Sequence, residues 1–296
     1  MKNVGLVGAG AMGEPMGASL LRAGFSLSVC AHRSRERVER LVEAGASEHK
    51  DAAAVAAASE CVITMVPDSP QVEEALFGEH GVVEGMKPGG YVIDMSTISP
   101  VASRAFNKRL CERGIGMVDA PVSGGPARAT TGELTIMAGG DDADYAACEP
   151  VLRAMGTPTH VGPAGMGETF KLVNQIIISV VMIADIEALV FAKKSGADIE
   201  LLRKVIATAT GSNYILDKWL PNTWFKGSHD GGFALDLLRK DLNAALDAAK
   251  QMQVPMIASA LAGQLYLQAS AEGYGRQDYS AVSELYERAA GVRVVS

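Results

Sequence analysis

The stretch Val4-Gly-Leu-Val7-Gly8-Ala9-Gly10-Ala11-Met12-Gly13 decides how the amino-terminal half of the chain folds. Residues 4–7 read as a short buried strand. The pattern Gly8-x-Gly10-x-x-Gly13 follows at once and opens a helix that continues to residue 23, which is the context a dinucleotide site needs. The first glycine permits a tight turn, the second lets a pyrophosphate approach the backbone, and the third lets helix and strand pack closely. The helix N-terminus then faces the phosphates. Gly8, Ala9, Gly10, Ala11, Met12 and Gly13 are therefore candidate cofactor contacts.

The next strand, residues 27–30, runs into Ala31-His32-Arg33-Ser34. An acidic residue about 20 positions past the glycines holds the ribose hydroxyl of NAD in such folds, and here 33 − 13 = 20 lands on Arg33. A guanidinium suits the 2′-phosphate of NADP, and no carboxylate lies between Leu27 and Arg35 to repel it. His32 and Arg33 are assigned to the cofactor. NADP (NADPH) is preferred on this reading and NAD remains possible.

Strand and helix signals then alternate. Helices are expected at 34–44, 50–58, 69–76, 100–113 and 143–155; strands are expected near 46 and at 61–66, 91–95, 117–120, 134–138 and 159–161. Met65, Val66 and Pro67 end one strand and Ser96-Thr97 ends another, both at the carboxyl edge where a cofactor lies. The order and the apolar strands predict an α/β fold with a Rossmann-type doubly wound parallel sheet over residues 1–164. Pro121-Val-Ser123-Gly124-Gly125-Pro126 interrupts the pattern. A serine before two glycines reads either as a plain turn or as a small anion site of hydroxyl and backbone N–H groups.

From Gly165 onward strand signals nearly vanish, and residues 165–296 read as an all-α domain that begins with a long interdomain helix. Its opening, Gly165-Met-Gly-Glu-Thr-Phe-Lys171-Leu-Val-Asn174-Gln175, places Lys171 and Asn174 three residues apart, on one helix face that reaches a single small molecule. Ile176-Ile-Ile-Ser-Val-Val-Met-Ile183 continues it with almost no polar surface, so the helix is expected to be buried between two domains or two subunits. A lysine at the head of such a helix is either a snorkelling side chain or a functional one.

Composition narrows the choices. Charged residues make up 21% and the net charge is −7, with no basic stripe to hold a phosphate backbone, so nucleic acid is excluded as a partner. Cys30, Cys61, Cys111 and Cys148 are far apart and form no C-x-x-C pair, which favours free thiols in a reducing compartment over a disulfide. The five histidines show no metal-ligand spacing. The N-terminus reads as a strand and turn rather than a signal peptide. The apolar run at 172–191 is interrupted by Asn174, Gln175, Asp185 and Glu187, so no membrane span and a cytoplasmic location are expected.

Four motifs in order, Gly8-x-Gly10-x-Met12-Gly13, Asp119-Ala-Pro-Val-Ser-Gly-Gly125, Gly165-x-Gly167-x-x-x-Lys171-x-x-Asn174 and Lys240-Asp241-Leu242, give the chain a full-length resemblance to the β-hydroxyacid dehydrogenases. That family includes 3-hydroxyisobutyrate dehydrogenase, tartronate semialdehyde reductase and the glyoxylate/succinic semialdehyde reductases. The resemblance implies that Lys171 is the catalytic acid/base and that Ser123, Gly124 and Gly125 hold the substrate carboxylate. It also implies that Asn174 orients the substrate and that Thr97 and Lys240 sit by the cofactor, with Lys240 in reach of the substrate as well. Residues 233–247 look most like the tartronate semialdehyde reductases. The implied substrate is a small aldehyde acid or hydroxy acid, and the long apolar helix points to a homodimer or homotetramer. An imine reductase of the same architecture usually lacks the lysine, and a nucleotide-binding sensor or scaffold would be free to lose both Lys171 and the serine-glycine turn.

Overall fold

The computed structural model describes residues 1–32 and 35–295. The chain divides into two compact units, Met1–Lys171 and Leu172–Ser296, and the division falls inside the helix Met166–Lys194. The sequence places the domain boundary at 164/165, at the start of that helix.

In the first unit, β1 (Asn3–Val7), β2 (Ser26–Cys30), β3 (Ser47–His49), β4 (Cys61–Thr64), β5 (Tyr91–Asp94) and β6 (Gly116–Asp119) form a parallel sheet in the order β3-β2-β1-β4-β5-β6. The strand order reverses between β1 and β4, the topological switch point at which such sheets bind ligands beyond their carboxyl ends. The strands are apolar on both faces because helices cover both. Ile63 and Ile93 enter one core, with Leu6 and Val29, while their neighbours Val62 and Val92 enter the other, with Val55 and Met117.

The sheet is not parallel throughout. β7 (Val122–Ser123) and β8 (Leu134–Gly139) add to the far edge, with β8 antiparallel to both β6 and β7, and β9 (Gly156–Gly162) pairs parallel with β8. β6 and β7 run in the same direction on either side of Ala120-Pro121, and the chain returns from β7 to β8 through residues 124–133, fewer than the dozen or more that a parallel crossover needs. The sequence predicts neither β7 nor the helix Gly125–Thr131 that follows it.

The second unit is helical. Residues 172–194 of the long helix pack with Ile199–Ile206, Leu235–Gln251, Ile257–Ala269 and Ser283–Ala290 around a core that includes Met182, Ile186, Leu189, Leu238, Leu242 and Tyr266. No named strand lies in this unit among the described residues, which hold one isolated bridge, Ala234 to Asp278. The sequence predicts this helix to be buried between two domains or two subunits; within the single chain it is not covered all round. Val173, Ile177 and Phe191 are 49%, 55% and 74% exposed, because one chain supplies cover for only one face of a helix that is apolar on every face.

Candidate active site

The glycine loop leaves β1 at Gly8, whose φ of +107° is one that glycine adopts without a steric penalty. A Cβ at Gly8 would lie 2.3 Å from the Met65 carbonyl oxygen, and one at Gly13 would lie 2.1 Å from the Gly8 carbonyl oxygen. Both glycines are thus demanded by the fold itself. A Cβ at Gly10 would meet nothing within 4 Å. The Gly10 N–H donates to the Gly8 carbonyl at 2.8 Å, and Gly10 and Ala11 are exposed while Ala9 is buried and Met12 half-buried. No side chain caps the helix Gly13–Arg22 at Met12, and the open Gly10 lies directly before this N-terminus. An open glycine beside an uncapped helix N-terminus fits the pyrophosphate of a dinucleotide.

Beyond β2, His32 is exposed; Arg33 lies outside the described residues. The neighbouring arginines are engaged. Arg35 pairs with Glu39 at 3.0 Å and with Glu48, and Arg37 and Arg40 bond Glu14 at 3.1 and 2.5 Å. The Arg40 guanidinium, with Arg37 beside it, holds the Glu14 carboxyl below the usual carboxylate range against the opposing effect of burial.

Strand register lays Val7, Thr64, Asp94 and Asp119 in one row along the carboxyl edge. The Thr64 hydroxyl donates to Asp94 Oδ1 at 2.8 Å, and the Ser96 N–H donates to the same oxygen at 3.1 Å. The Val66 N–H donates to Ser96 Oγ at 3.1 Å. Buried Ser96 therefore braces the loop Met65-Val66-Pro67 against the loop after β5, which continues to half-buried Thr97.

Asp119 closes the row and caps the long helix. Its Oδ1 accepts from the Gly165 N–H at 2.7 Å and its Oδ2 from the Glu168 N–H at 3.0 Å. Burial pushes the Asp119 carboxyl up to about 6, and the nearby Asp94 adds to the rise, while the donors from Gly165 and Glu168 act the other way. Gly167 lets the helix start lie on the sheet, because a Cβ there would come 2.4 Å from the carbonyl oxygens of Asp119 and Met137. Glu168 Oε2 accepts from the Ile98 N–H at 3.1 Å and ties this turn to the loop that carries Thr97. One turn further, Lys171 is 7% exposed. A strand end, a carboxylate and a glycine thus fix where the lysine stands.

Ser123 ends β7 opposite Thr135 and is half-buried. Gly124 and Gly125 have φ of +134° and +67°, which turns the chain out of the strand into the helix Gly125–Thr131. The space beside Gly125 is open, with nothing within 4 Å of a Cβ placed there.

In the second unit, Asn174 and Lys240 belong to one hydrogen-bonded chain. Asn174 Nδ2 donates to Gln175 Oε1 at 2.9 Å, Gln175 Nε2 donates to Asp241 Oδ2 at 2.6 Å, and Lys240 Nζ pairs with Asp241 Oδ1 at 2.8 Å. The sequence reading names Asn174 and Lys240 but gives no role to Gln175, Asp241, Asp94, Glu168 or the Asp119 cap. A carboxylate at the last position of a parallel strand is the signal for Asp94 and Asp119, and Gln175 and Asp241 stand beside the residues that the motifs single out.

Residues 3–192 match the NAD binding domain of 6-phosphogluconate dehydrogenase, and residues 165–286 match the NAD-binding domain of NADP-dependent 3-hydroxyisobutyrate dehydrogenase. The 2-(hydroxymethyl)glutarate dehydrogenase of Eubacterium barkeri is 38% identical over 293 residues, 98% of this chain and 97% of that protein. The chain belongs to the β-hydroxyacid dehydrogenase family. The 2-hydroxy-3-oxopropionate reductase of Escherichia coli is also 38% identical, over 96% of this chain and 97% of its own length. Among solved members, the 3-hydroxyisobutyrate dehydrogenase of Mycobacterium tuberculosis described with L-serine has a TM-score of 0.90 at 29% identity and covers 97% of this chain and 99% of its own. This β-hydroxyacid dehydrogenase is an NAD(P)-dependent oxidoreductase acting on hydroxyacids.

Proposed function

We propose that the enzyme is an NADPH-preferring, reversible reductase of small aldehydes that carry a carboxylate on the neighbouring carbon, most like 2-hydroxy-3-oxopropionate (tartronate semialdehyde) reductase. The observation that carries this reading is the buried Lys171, set one turn past a helix start clamped by Asp119 and three residues before Asn174. The substrates named for the relatives share one piece of chemistry: 2-(hydroxymethyl)glutarate and 2-hydroxy-3-oxopropionate both place the reacting carbon next to a carbon that bears a carboxylate. 3-Hydroxyisobutyrate meets the same requirement, whereas glyoxylate carries its carboxylate on the reacting carbon itself and succinic semialdehyde carries it one carbon further away.

When bound, the nicotinamide supplies the hydride or takes it back. Lys171 donates a proton to the oxygen that develops negative charge and, in the reverse direction, removes it as the amine. The Ser123 hydroxyl and the N–H groups at Gly124 and Gly125 hold the carboxylate. Asn174, on the face of Lys171, bonds the substrate oxygen beside the reacting carbon, and Lys240 supplies a second cation. For the cofactor, Gly10 and the N-terminus of Gly13–Arg22 take the pyrophosphate, and Arg33 takes the 2′-phosphate. The match to an NADP-dependent family supports that choice.

The exposed apolar positions Val173 and Ile177 are four residues apart on one face of the long helix, which supports a homodimer or homotetramer covering them. Light scattering on the purified protein tests the assembly. The cysteine spacing supports a cytoplasmic location. The function itself is tested by kcat/KM for glyoxylate and for tartronate, succinate and methylmalonate semialdehydes with NADPH and with NADH. Activity confined to aldehydes without a carboxylate would overturn the reading.

A further inference from the structure

Gln175 is 1% exposed and Asp241 is 2% exposed, so the hydrogen bonds they make are not exchanged with water. A carboxylate paired with Lys240 only accepts hydrogen bonds, and a carboxamide has one donor end and one acceptor end. The end of Gln175 that faces Asp241 must therefore be its NH2 group, which leaves Oε1 pointing at Asn174. Asn174 must in turn present its NH2 group to that oxygen. The polarity of both amides is thus dictated from Asp241, and Asn174 keeps one N–H and its Oδ1 for a ligand.

We propose that Gln175 is a positioning residue that relays the charge of Asp241 to Asn174 and so fixes which edge of the Asn174 carboxamide meets the substrate. The proposal rests on the reading that Asn174 orients the substrate. The charged groups facing Gln175 are Asp241 and, across it, Lys240, both from the helix Leu235–Gln251; on its own helix Lys171 lies one turn earlier.

Gln175→Met keeps length and apolar bulk but breaks the relay. Gln175→Glu keeps it only when protonated, because two ionised carboxylates at hydrogen-bond distance repel, whereas a protonated Glu donates to Asp241 and still accepts from Asn174. Gln175→Met should lower kcat/KM for the aldehyde acid at least tenfold, with the NADPH dissociation constant within twofold of wild type. The Gln175→Glu variant should stay within threefold of wild type near pH 5.5 and fall at least tenfold below wild type measured at the same pH by pH 8. Profiles of Gln175→Glu that run parallel to wild type, or a Gln175→Met kcat/KM within threefold of wild type, would overturn the proposal. Lys171→Ala measured alongside separates the two levels: retained turnover there sinks the reading of the site, while lost turnover with wild-type-like Gln175 variants sinks only the relay.

Discussion

Two glycines three residues apart should answer to alanine in opposite ways. At Gly13 the new methyl group would lie 2.1 Å from the Gly8 carbonyl oxygen, far inside any tolerable contact, and the obstacle is backbone that cannot rotate away. Overpacking of this kind costs about 1–3 kcal/mol. For a unit of this size, each kcal/mol shifts the melting temperature by about 2–4 °C, so Gly13→Ala should melt roughly 2–12 °C lower without any cofactor present. At Gly10 the methyl meets nothing within 4 Å and φ is not positive. The apo stability of Gly10→Ala should stay within about 0.5 kcal/mol of wild type, or rise slightly as the unfolded chain loses freedom.

The methyl at Gly10 instead fills the space a pyrophosphate would approach. Losing a charge-assisted hydrogen bond costs about 1.5–3 kcal/mol, so NADPH binding should weaken roughly 10- to 150-fold. Thermal denaturation with and without saturating NADPH, together with a fluorescence titration of the cofactor, separates the two outcomes. Wild-type NADPH affinity in Gly10→Ala, or a large loss of apo stability there, would refute the assignment of this loop to the phosphates.

The remaining predictions address chemistry, specificity and pH. Lys171→Ala should fold and bind NADPH but lose about 10²–10⁴ in kcat; a kcat within threefold of wild type would remove the lysine from the mechanism. Ser123→Ala should raise KM for carboxylate-bearing aldehydes by about 10- to 100-fold, the worth of a charge-assisted hydrogen bond, and an equal effect on propanal would show that the serine does not hold a carboxylate. Arg33→Ala should raise KM for NADPH at least about tenfold and leave NADH nearly unchanged, since Arg35 and Arg37 are tied to Glu39, Glu48 and Glu14 and are poorly placed to substitute; equal losses for both cofactors would refute it. Because burial raises the Asp119 carboxyl from 3.8 to about 6, the stability it contributes is full below pH 3.8 and is lost as pH rises through 6. Wild type should therefore lose up to about 3 kcal/mol against Asp119→Asn between pH 4 and pH 7 in urea titrations, and a difference that does not change with pH would show that Asp119 titrates normally.

The elements that local pattern controls were legible in the sequence, and those set by a distant partner were not. The strand, glycine turn and helix at residues 4–23 could be read because a continuous apolar strand, three glycines and an amphipathic helix agree within twenty residues. The same holds for the long helix, observed at Met166–Lys194. β7 escaped because two residues of strand carry no periodicity, and its existence depends on β8, eleven residues later. Helix ends moved by one or two residues, as at Ala52–Ala57 against the expected 50–58, because the first turn is set by a cap, here Asp51, that the pattern does not weigh.

The site divides along the same line. Lys171, Asn174, Ser123 and the glycine loop could be singled out because their residue types at short spacing are unusual for a purely structural segment. What holds them in place could not. The Asp119 cap reaches 46 residues along the chain to Gly165, Ile98 reaches 70 to Glu168, and Gln175 reaches 66 to Asp241. Each of those partners is a common polar residue whose meaning arises only when folding brings it against a buried N–H or amide that would otherwise go unsatisfied. Gly165-x-Gly167 shows how the two kinds of information meet. Read locally, it is a helix start. In the fold, Gly167 is where a helix turn passes within 2.4 Å of two strand carbonyls as judged from a Cβ placed there, so the second glycine records the proximity of the sheet rather than any property of the helix. A motif glycine of that sort is evidence of a distant neighbour before the neighbour is known, and Gly167→Ala should be costlier than its helix propensity, which favours alanine by about 1 kcal/mol, would suggest.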